Sequence, residues 1–278
     1  MILESNGPTK AIHFEATEKD SRFVAAYGAA VASKDAFEAT LQALGDLPIA
    51  GDRVLESLRR ISLYVGTLFH EAHTASTQLS FLEMPRAQYI LNRQLIEYYS
   101  RNRWFLENKE AAVRDLDLLP KTIHKEVERN PGAFDAEFKR DIGQNYAEWA
   151  KENPELDQIR HDIPGPTELV KLALDEPEEL FWYYGRPSII VHGKTHGIQD
   201  VLKKRADGSL ERSPNSLQID RIEEMHRATA FAIQYGFLLA LNFRLDQSTL
   251  TAAQSTFDVT LREEGVTPKA IAVKRYLS

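Results

Sequence analysis

The chain has 278 residues, of which 43% are hydrophobic and 27% charged, and its formal net charge is −7. These values are typical of a globular protein with a buried core, and the negative charge argues against a broad basic surface for nucleic acid, though not against a local basic patch. The absence of cysteine excludes disulfides, thiolate metal sites and cysteine nucleophiles, and it favours a reducing cytoplasm. No signal peptide is recognisable, and no apolar run reaches the roughly 18 residues of a membrane span. We therefore expect a soluble cytoplasmic protein without membrane association.

Apolar residues recur at helical spacing along most of the chain, which predicts an all-α fold built as a bundle of about seven to ten helices. We expect an irregular N-terminal arm over residues 1–16 and one helical domain over 17–278. A subdivision near 152–166 is left open, because that stretch is rich in proline and glycine. The predicted helices span 19–44, a second one capped by Gly51–Asp52, 85–108, 111–127 with a break at Pro120, 135–151, a short one from Thr167, 186–206, 217–245 and 250–264.

The second predicted helix carries His70 and His73, which lie on one side because they are three residues apart. Two histidines at this spacing can give two ligands to one metal ion, but two ligands do not make a site. The alternative interpretation is a pair of partly exposed polar residues near a helix end.

The third predicted helix carries Arg93 and Glu97 one turn apart. One interpretation is an internal ion pair that fixes the register of the helix. The other is that Arg93 or Glu97 faces a pocket shared with the segment 186–197.

That later segment concentrates polar side chains in a few turns. Pro187 suits the first turn of a helix, because it has no backbone N–H to donate and its φ is already helical. A helix from this point places Ser188, His192 and His196 on one face, one turn apart. The sequence therefore indicates a candidate site on this helix.

Two resemblances follow from these residues. Arg93-Gln-Leu-Ile-Glu97, with Tyr184-x-x-x-Ser188-x-x-Val191-His192 further on, resembles a bacterial all-helical family of unknown function, over about residues 50–245. That family implies no activity. Arg186 and His192, with five residues between them, are similar to the Arg-x(4–6)-His signature of HEPN (higher eukaryotes and prokaryotes nucleotide-binding) domains.

HEPN domains are small helical bundles, many of them metal-independent ribonucleases of toxin–antitoxin and anti-phage systems, and they are often dimeric. The resemblance implies that Arg186 contacts phosphate and that His192 is catalytic, with RNA as substrate, a homodimer and an antitoxin or other partner protein. Metal-free RNA cleavage needs groups that accept and donate protons near neutral pH and a cation for the phosphate, and histidine and arginine supply both. We expect His196 to assist as a third catalytic residue. The expected substrate-binding residues are Ser188, Lys194, Arg93, Glu97 and Tyr184.

Two other functions remain open on the sequence. A divalent metal ion in a metal-dependent hydrolase would take His192 and His196 as ligands, with a further one from His70, His73, Glu71, Glu97 or His226. Alternatively, Ser188, His192 and the Arg93–Glu97 pair form a buried polar network in a non-catalytic binding or regulatory protein. His226 lies close to an apolar helix face, where a histidine is more often a core residue than a ligand.

Overall fold

A computed structural model describes residues 20–48, 51–82, 84–159, 163–174, 180–185, 187–188, 202–212 and 221–265. Within these residues the fold is all-α, as predicted, with ten α-helices, one π-helical turn and one short β-hairpin. The helical elements are one more than the upper end of the expected range. They are α1 (Ser21–Asp46), α2 (Arg53–Phe81), α3 (Pro85–Glu107), α4 (Lys109–Asp117), α5 (Leu119–Arg129), α6 (Ala136–Glu152), α7 (Pro154–Asp157), α8 (Pro166–Ala173), the π-helical turn (Phe181–Gly185), α9 (Arg221–Phe243) and α10 (Ser248–Glu263).

Several helices begin where the sequence places a capping residue. The Asp20 carboxylate accepts hydrogen bonds from the first backbone N–H groups of α1, and Asp52 accepts one from Leu55 N at 3.0 Å. Asp135 does the same for α6, and Pro85 occupies the first position of α3. These side chains satisfy N–H groups that have no partner inside the helix, so the predicted starts agree with the observed ones within two residues.

The core forms where α2 and α3 pack as an antiparallel pair against α9 and α1. Ser62 bonds Asn102 and Ser76 bonds Asn92, so the two helices run in opposite directions. The largest fully buried side chains meet in an aromatic cluster of Phe37, Phe69, Tyr99 and Tyr235, with ring centroids 5.0–6.0 Å apart. Such contacts add about 0.5–1.5 kcal/mol each beyond the burial of their area.

The sequence predicts one apolar face for α9, formed by a stripe of Ile222, Met225, Thr229, Ile233, Phe237 and Leu241. The helix is instead buried on nearly all sides. Residues such as Ala230, Tyr235 and Leu239 are buried as well as the predicted stripe, while the stripe residue Leu241 is 41% exposed. The reason is that α1, α2, α3 and α10 all pack against this helix. A helix surrounded by others is apolar all round, and its exposed residues no longer follow one face.

The predicted helix 186–206 is wrong at its end, because residues 202–212 form a β-hairpin. Strand β1 (Leu202–Lys204) pairs antiparallel with β2 (Leu210–Arg212), and Leu202 lies opposite Arg212. Gly208 has a φ of 86°, which lets the chain reverse between the strands. The sequence Ala206-Asp207-Gly208-Ser209 predicts a loop, and the structure confirms it as the turn of the hairpin.

Helices α5, α6 and α7 form an excursion from the bundle. No residue of α6 is buried, and its main contact with α5 is a stacked pair of His124 and Tyr146 rings at 4.2 Å. Lys121 of α5 closes the excursion on itself by donating to the carbonyl oxygens of Asp157 and Ile159 at the end of α7. Among the described residues, no helix is long and apolar enough to cross a bilayer.

Candidate functional site

Arg93 on α3 is the centre of a polar network that joins this helix to the segment around Tyr184. Its Nε donates to Ser188 Oγ at 2.7 Å, and its Nη2 donates to the Tyr184 hydroxyl at 3.1 Å. The same Nη2 pairs with Glu97 Oε1 at 2.8 Å. The guanidinium also lies over the Tyr184 ring, 4.5 Å from its centroid. One side chain thus holds two residues that are more than ninety positions away in the sequence.

The backbone that receives these bonds is irregular. Tyr184 lies in the π-helical turn, and the Ser188 hydroxyl donates back to the Tyr184 carbonyl oxygen at 2.6 Å. Residues 187–188 are helical, in agreement with the helix start predicted at Pro187. Short π-helical turns frequently accompany functional sites, because they change the direction of side chains over one turn.

A second arginine holds the neighbouring tyrosine. Arg227 of α9 lies over the Tyr183 ring, 5.1 Å from its centroid, just as Arg93 lies over Tyr184. A cation over an aromatic ring is attracted by the negative face of the ring, and more strongly where water is excluded. Two adjacent tyrosines are therefore clamped by arginines from two different helices, which fixes the π-helical turn on the bundle.

Tyr184 remains a neutral phenol at physiological pH. Burial raises its pKa, and the hydrogen bond to the Glu97 carboxylate raises it further, while the charge of Arg93 acts in the opposite direction. The hydroxyl can therefore donate to Glu97 while it accepts from Arg93. The network is complete without an added proton or ion.

Glu97 also borders a cleft of about 330 Å³. This is within the range of about 300–1,000 Å³ typical of small-molecule sites. The lining combines two carboxylates and one arginine with aromatic and apolar groups. It consists of Glu97, Tyr98 and Arg101 of α3, Asp115 of α4, Thr122 of α5, and Ile163, Pro164, Pro166 and Leu169 before and within α8.

A buried chain of hydrogen bonds supports Arg227 from the other side. Glu224 of α9 receives the Arg227 Nη1 at 2.6 Å and the Asn92 Nδ2 at 2.7 Å, and Asn92 Oδ1 accepts from Ser76 Oγ at 2.7 Å. The Glu224 side chain is only 3% exposed. A carboxylate at this depth needs its charged partner, because an unpaired charge in the core is costly.

The structure brings together four of the predicted site residues, namely Arg93, Glu97, Tyr184 and Ser188. Arg186, His192, Lys194 and His196 lie outside the described residues, so their roles stay predictions. Other residues of the site were not predicted, because no motif marks them, although three of them lie on α3 beside Arg93 and Glu97. They are Tyr98, Arg101, Asp115, Asn92, Glu224 and Arg227.

The interpretation of His70 and His73 as partly exposed residues near a helix end is wrong for His73. Helix α2 continues to Phe81, so His73 lies within the helix, buried at 1% exposure and stacked on Phe69. His70 is half-buried and lies 3.6 Å from Glu38. Among the described residues, no three side chains of histidine, aspartate or glutamate are placed to hold one metal ion. The predicted partners His192 and His196 lie outside that part of the chain.

His226 is a core residue, as its apolar neighbours suggested. Its ring is 3% exposed, and its Nε2 lies 3.3 Å from Glu264 Oε1, which is also buried. Glu264 in turn pairs with Arg22 of α1 at 3.2 Å. The described contacts of His226 thus join α9 to the end of α10 and the start of α1.

The buried His73 gives the fold a measurable sensitivity to acid. Burial, with smaller effects from the charges of His70 and Lys34, lowers the pKa of His73 from 6.5 to about 3. Below pH 6.5 His73 is therefore protonated in the unfolded chain but not in the folded protein. This difference lowers the free energy of unfolding by about 1.4 kcal/mol for each pH unit between 6.5 and the pKa of the folded state.

We expect His73→Leu to make the unfolding free energy less dependent on pH than in the wild type, by about one proton between about pH 6 and pH 4. Urea unfolding at several pH values measures this slope. Phe69→Leu, a substitution in the ring that stacks on His73, is the control, because it leaves every titratable group in place and should lower stability without changing the slope. Parallel curves for His73→Leu and wild type would contradict the assignment.

Comparison of the chain with protein-family models, with curated proteins and with solved structures gives no match in any of the three.

Proposed function

We propose that this protein is a metal-independent endoribonuclease whose reacting groups lie on the segment that begins at Arg186. The observation that carries the proposal is the network of Arg93, which binds the residues on both sides of Arg186, namely Tyr184 and Ser188. The segment similar to the HEPN signature is therefore tied at its start to α3. A catalytic side chain needs a rigid attachment of this kind, because catalysis depends on the orientation of the reacting groups.

In the proposed reaction, His192 takes the proton of a ribose 2′-hydroxyl, and the 2′-oxygen attacks the adjacent phosphorus. The bond from phosphorus to the 5′-oxygen breaks, and His196 gives that oxygen a proton. Arg186 and Lys194 balance the charge that develops on the phosphate. The products are a 2′,3′-cyclic phosphate and a 5′-hydroxyl, and no water or metal ion is consumed.

Arg93 acts in this proposal as a positioning residue. Its Nε and Nη2 atoms bind Ser188, Tyr184 and Glu97. Its guanidinium therefore orients residues of the protein and is not the ligand of a phosphate. Tyr184 and Ser188 have the same role from the other side. This revises their predicted role as substrate ligands.

The HEPN resemblance extends the proposal to the biological setting. We propose that the protein is a cytoplasmic homodimer in which the motifs of Arg186 and His192 from the two chains face each other across a cleft between the subunits. It acts as a toxin or defence protein under the control of a partner protein. Size measurement in solution tests the dimer without reference to activity.

The experiment is cleavage of a labelled RNA by purified wild-type and His192→Ala protein, each with and without EDTA. We expect cleavage by the wild type that survives EDTA and is lost in a variant that remains folded by circular dichroism. Cleavage lost with EDTA would instead support the metal-dependent hydrolase, with a divalent metal ion on the histidines.

A non-catalytic binding protein is the second candidate, and the cleft beside Glu97 favours it. A cleft with mixed charge and apolar walls is suited to a ligand whether or not a reaction follows. Absence of cleavage in every lane, together with ligand binding at the cleft, would favour this function over the ribonuclease.

A further inference from the structure

The cleft beside Glu97 has a lining that is specific in its chemistry. Three of its polar residues, Glu97, Tyr98 and Arg101, come from consecutive turns of α3, and Asp115 comes from α4. Apolar groups of the segment 163–169 complete it. A flat, partly apolar ligand with hydrogen-bond donors on one edge fits such a site, because carboxylates accept hydrogen bonds and cannot donate them when ionised.

Glu97 is held in one orientation towards this cleft. Arg93 pairs with its Oε1 at 2.8 Å, and the Tyr184 hydroxyl bonds the same carboxylate. An ionised carboxylate has about four acceptor positions, so it can receive further donors while keeping these two. The pair neutralises much of its charge and fixes its rotamer, which reduces the entropy lost when a ligand binds.

Two other residues of the cleft offer contacts for the remaining parts of a nucleotide, namely the face of the base and the phosphate. Tyr98 is half-buried at the cleft, and burial raises its pKa, so its ring is a neutral aromatic surface on which a base can stack. Arg101 is exposed at the cleft and offers a planar fork of donors to a phosphate. Stacking and phosphate contact are how proteins hold unpaired RNA bases.

We propose that this cleft binds an unpaired guanine base of RNA, with Glu97 or Asp115 accepting from the guanine N1–H and 2-amino groups. Guanine is the base whose Watson–Crick edge presents two adjacent donors to one carboxylate, whereas the edge of uracil presents a single N3–H donor between two carbonyl acceptors that a carboxylate repels. Tyr98 stacks on the base and Arg101 contacts its phosphate. The inference rests on the proposed ribonuclease for its substrate, and it gives that enzyme a preference for RNA with an unpaired guanine.

The test is binding of mononucleotides to the full-length protein by calorimetry, independent of any cleavage. Guanosine 5′-monophosphate should bind about tenfold more tightly than inosine 5′-monophosphate, which lacks only the 2-amino group, and uridine 5′-monophosphate should bind more weakly still. Equal affinity for the three, or no binding of any of them, would overturn the proposal.

Variants locate the site. Glu97→Gln and Asp115→Asn should together remove the preference for the guanine edge, and Glu107→Gln, on the same helix but outside the cleft, should leave it unchanged. Arg101→Gln should weaken the binding of guanosine 5′-monophosphate about tenfold without changing the affinity for guanosine, because only the phosphate contact is lost. Loss of affinity in Glu107→Gln, or none in the three cleft variants, would place the nucleotide elsewhere.

The two proposals fail separately. RNA cleavage without preference for guanine would overturn the base pocket and leave the ribonuclease standing. Selective binding of guanosine 5′-monophosphate without cleavage of any RNA would overturn the ribonuclease and leave the pocket standing.

Discussion

Glu224→Ala should lower the free energy of unfolding by about 3–5 kcal/mol, a large part of the stability of a domain of this kind. The carboxylate is buried and holds both Arg227 and Asn92. Its removal leaves the mostly buried guanidinium with only the exposed Glu223 as a carboxylate partner, and it leaves the Asn92 amide with only the backbone carbonyl oxygen of residue 224. The charge of Arg227 cannot be relieved by loss of its proton, because an arginine guanidinium stays protonated in proteins.

The neighbouring residue offers a matched control. Glu223 also pairs with Arg227, but its side chain is 59% exposed, whereas that of Glu224 is 3% exposed. An exposed ion pair contributes about 0–1 kcal/mol, so Glu223→Ala should cost no more than that. Denaturation in urea at neutral pH measures both variants. Equal losses would show that burial of Glu224 does not determine the stability of this network.

Arg93→Met should reduce RNA cleavage by about 100-fold while the protein remains folded, because the reacting segment loses the contacts that hold it. Methionine keeps the apolar stem but removes the donors to Ser188 and Tyr184. Arg93→Lys should recover little, since an ammonium cannot reproduce the planar fork that serves three partners. Initial rates at saturating RNA separate this loss from weaker substrate binding.

Arg103 provides the control on the same helix. It pairs with Glu107 as Arg93 pairs with Glu97, one turn apart, and the two arginine side chains are 12% and 13% exposed. Arg103→Met should therefore keep nearly wild-type cleavage. If Arg93→Met and Arg103→Met both lose activity and stability, the role of Arg93 is to stabilise α3 and not to position the reacting segment.

The helices were predictable because their signals are local. Asp20, Asp52 and Asp135 cap the observed helices, and the apolar spacing marks their length, so α1 was expected at 19–44 and lies at Ser21–Asp46. The β-hairpin at 202–212 was missed for the opposite reason. Each strand has only three residues, too few to show alternation, and it exists through pairing with a strand eight positions away.

The site was predictable in part. The spacing of Arg93 and Glu97, and of Tyr184 and Ser188, marked four residues that the structure places in contact. His73 was misjudged because polar and apolar residues alternate irregularly around it, so the sequence does not show which face of α2 the other helices cover. Glu224 had only the weak local signal of Arg227 three residues later, because its burial and its bond to Asn92 depend on packing with α3, and Asp115 had no local signal.

The most direct test of the central claim uses one RNA containing a single 2′-deoxy substitution, with EDTA present throughout. We expect the wild-type protein to cut the unmodified strand, to leave a 2′,3′-cyclic phosphate, and not to cut at the substituted nucleotide. Cleavage at the 2′-deoxy position, or products with a 3′-hydroxyl, would show that the 2′-oxygen is not the nucleophile and would contradict the proposed mechanism.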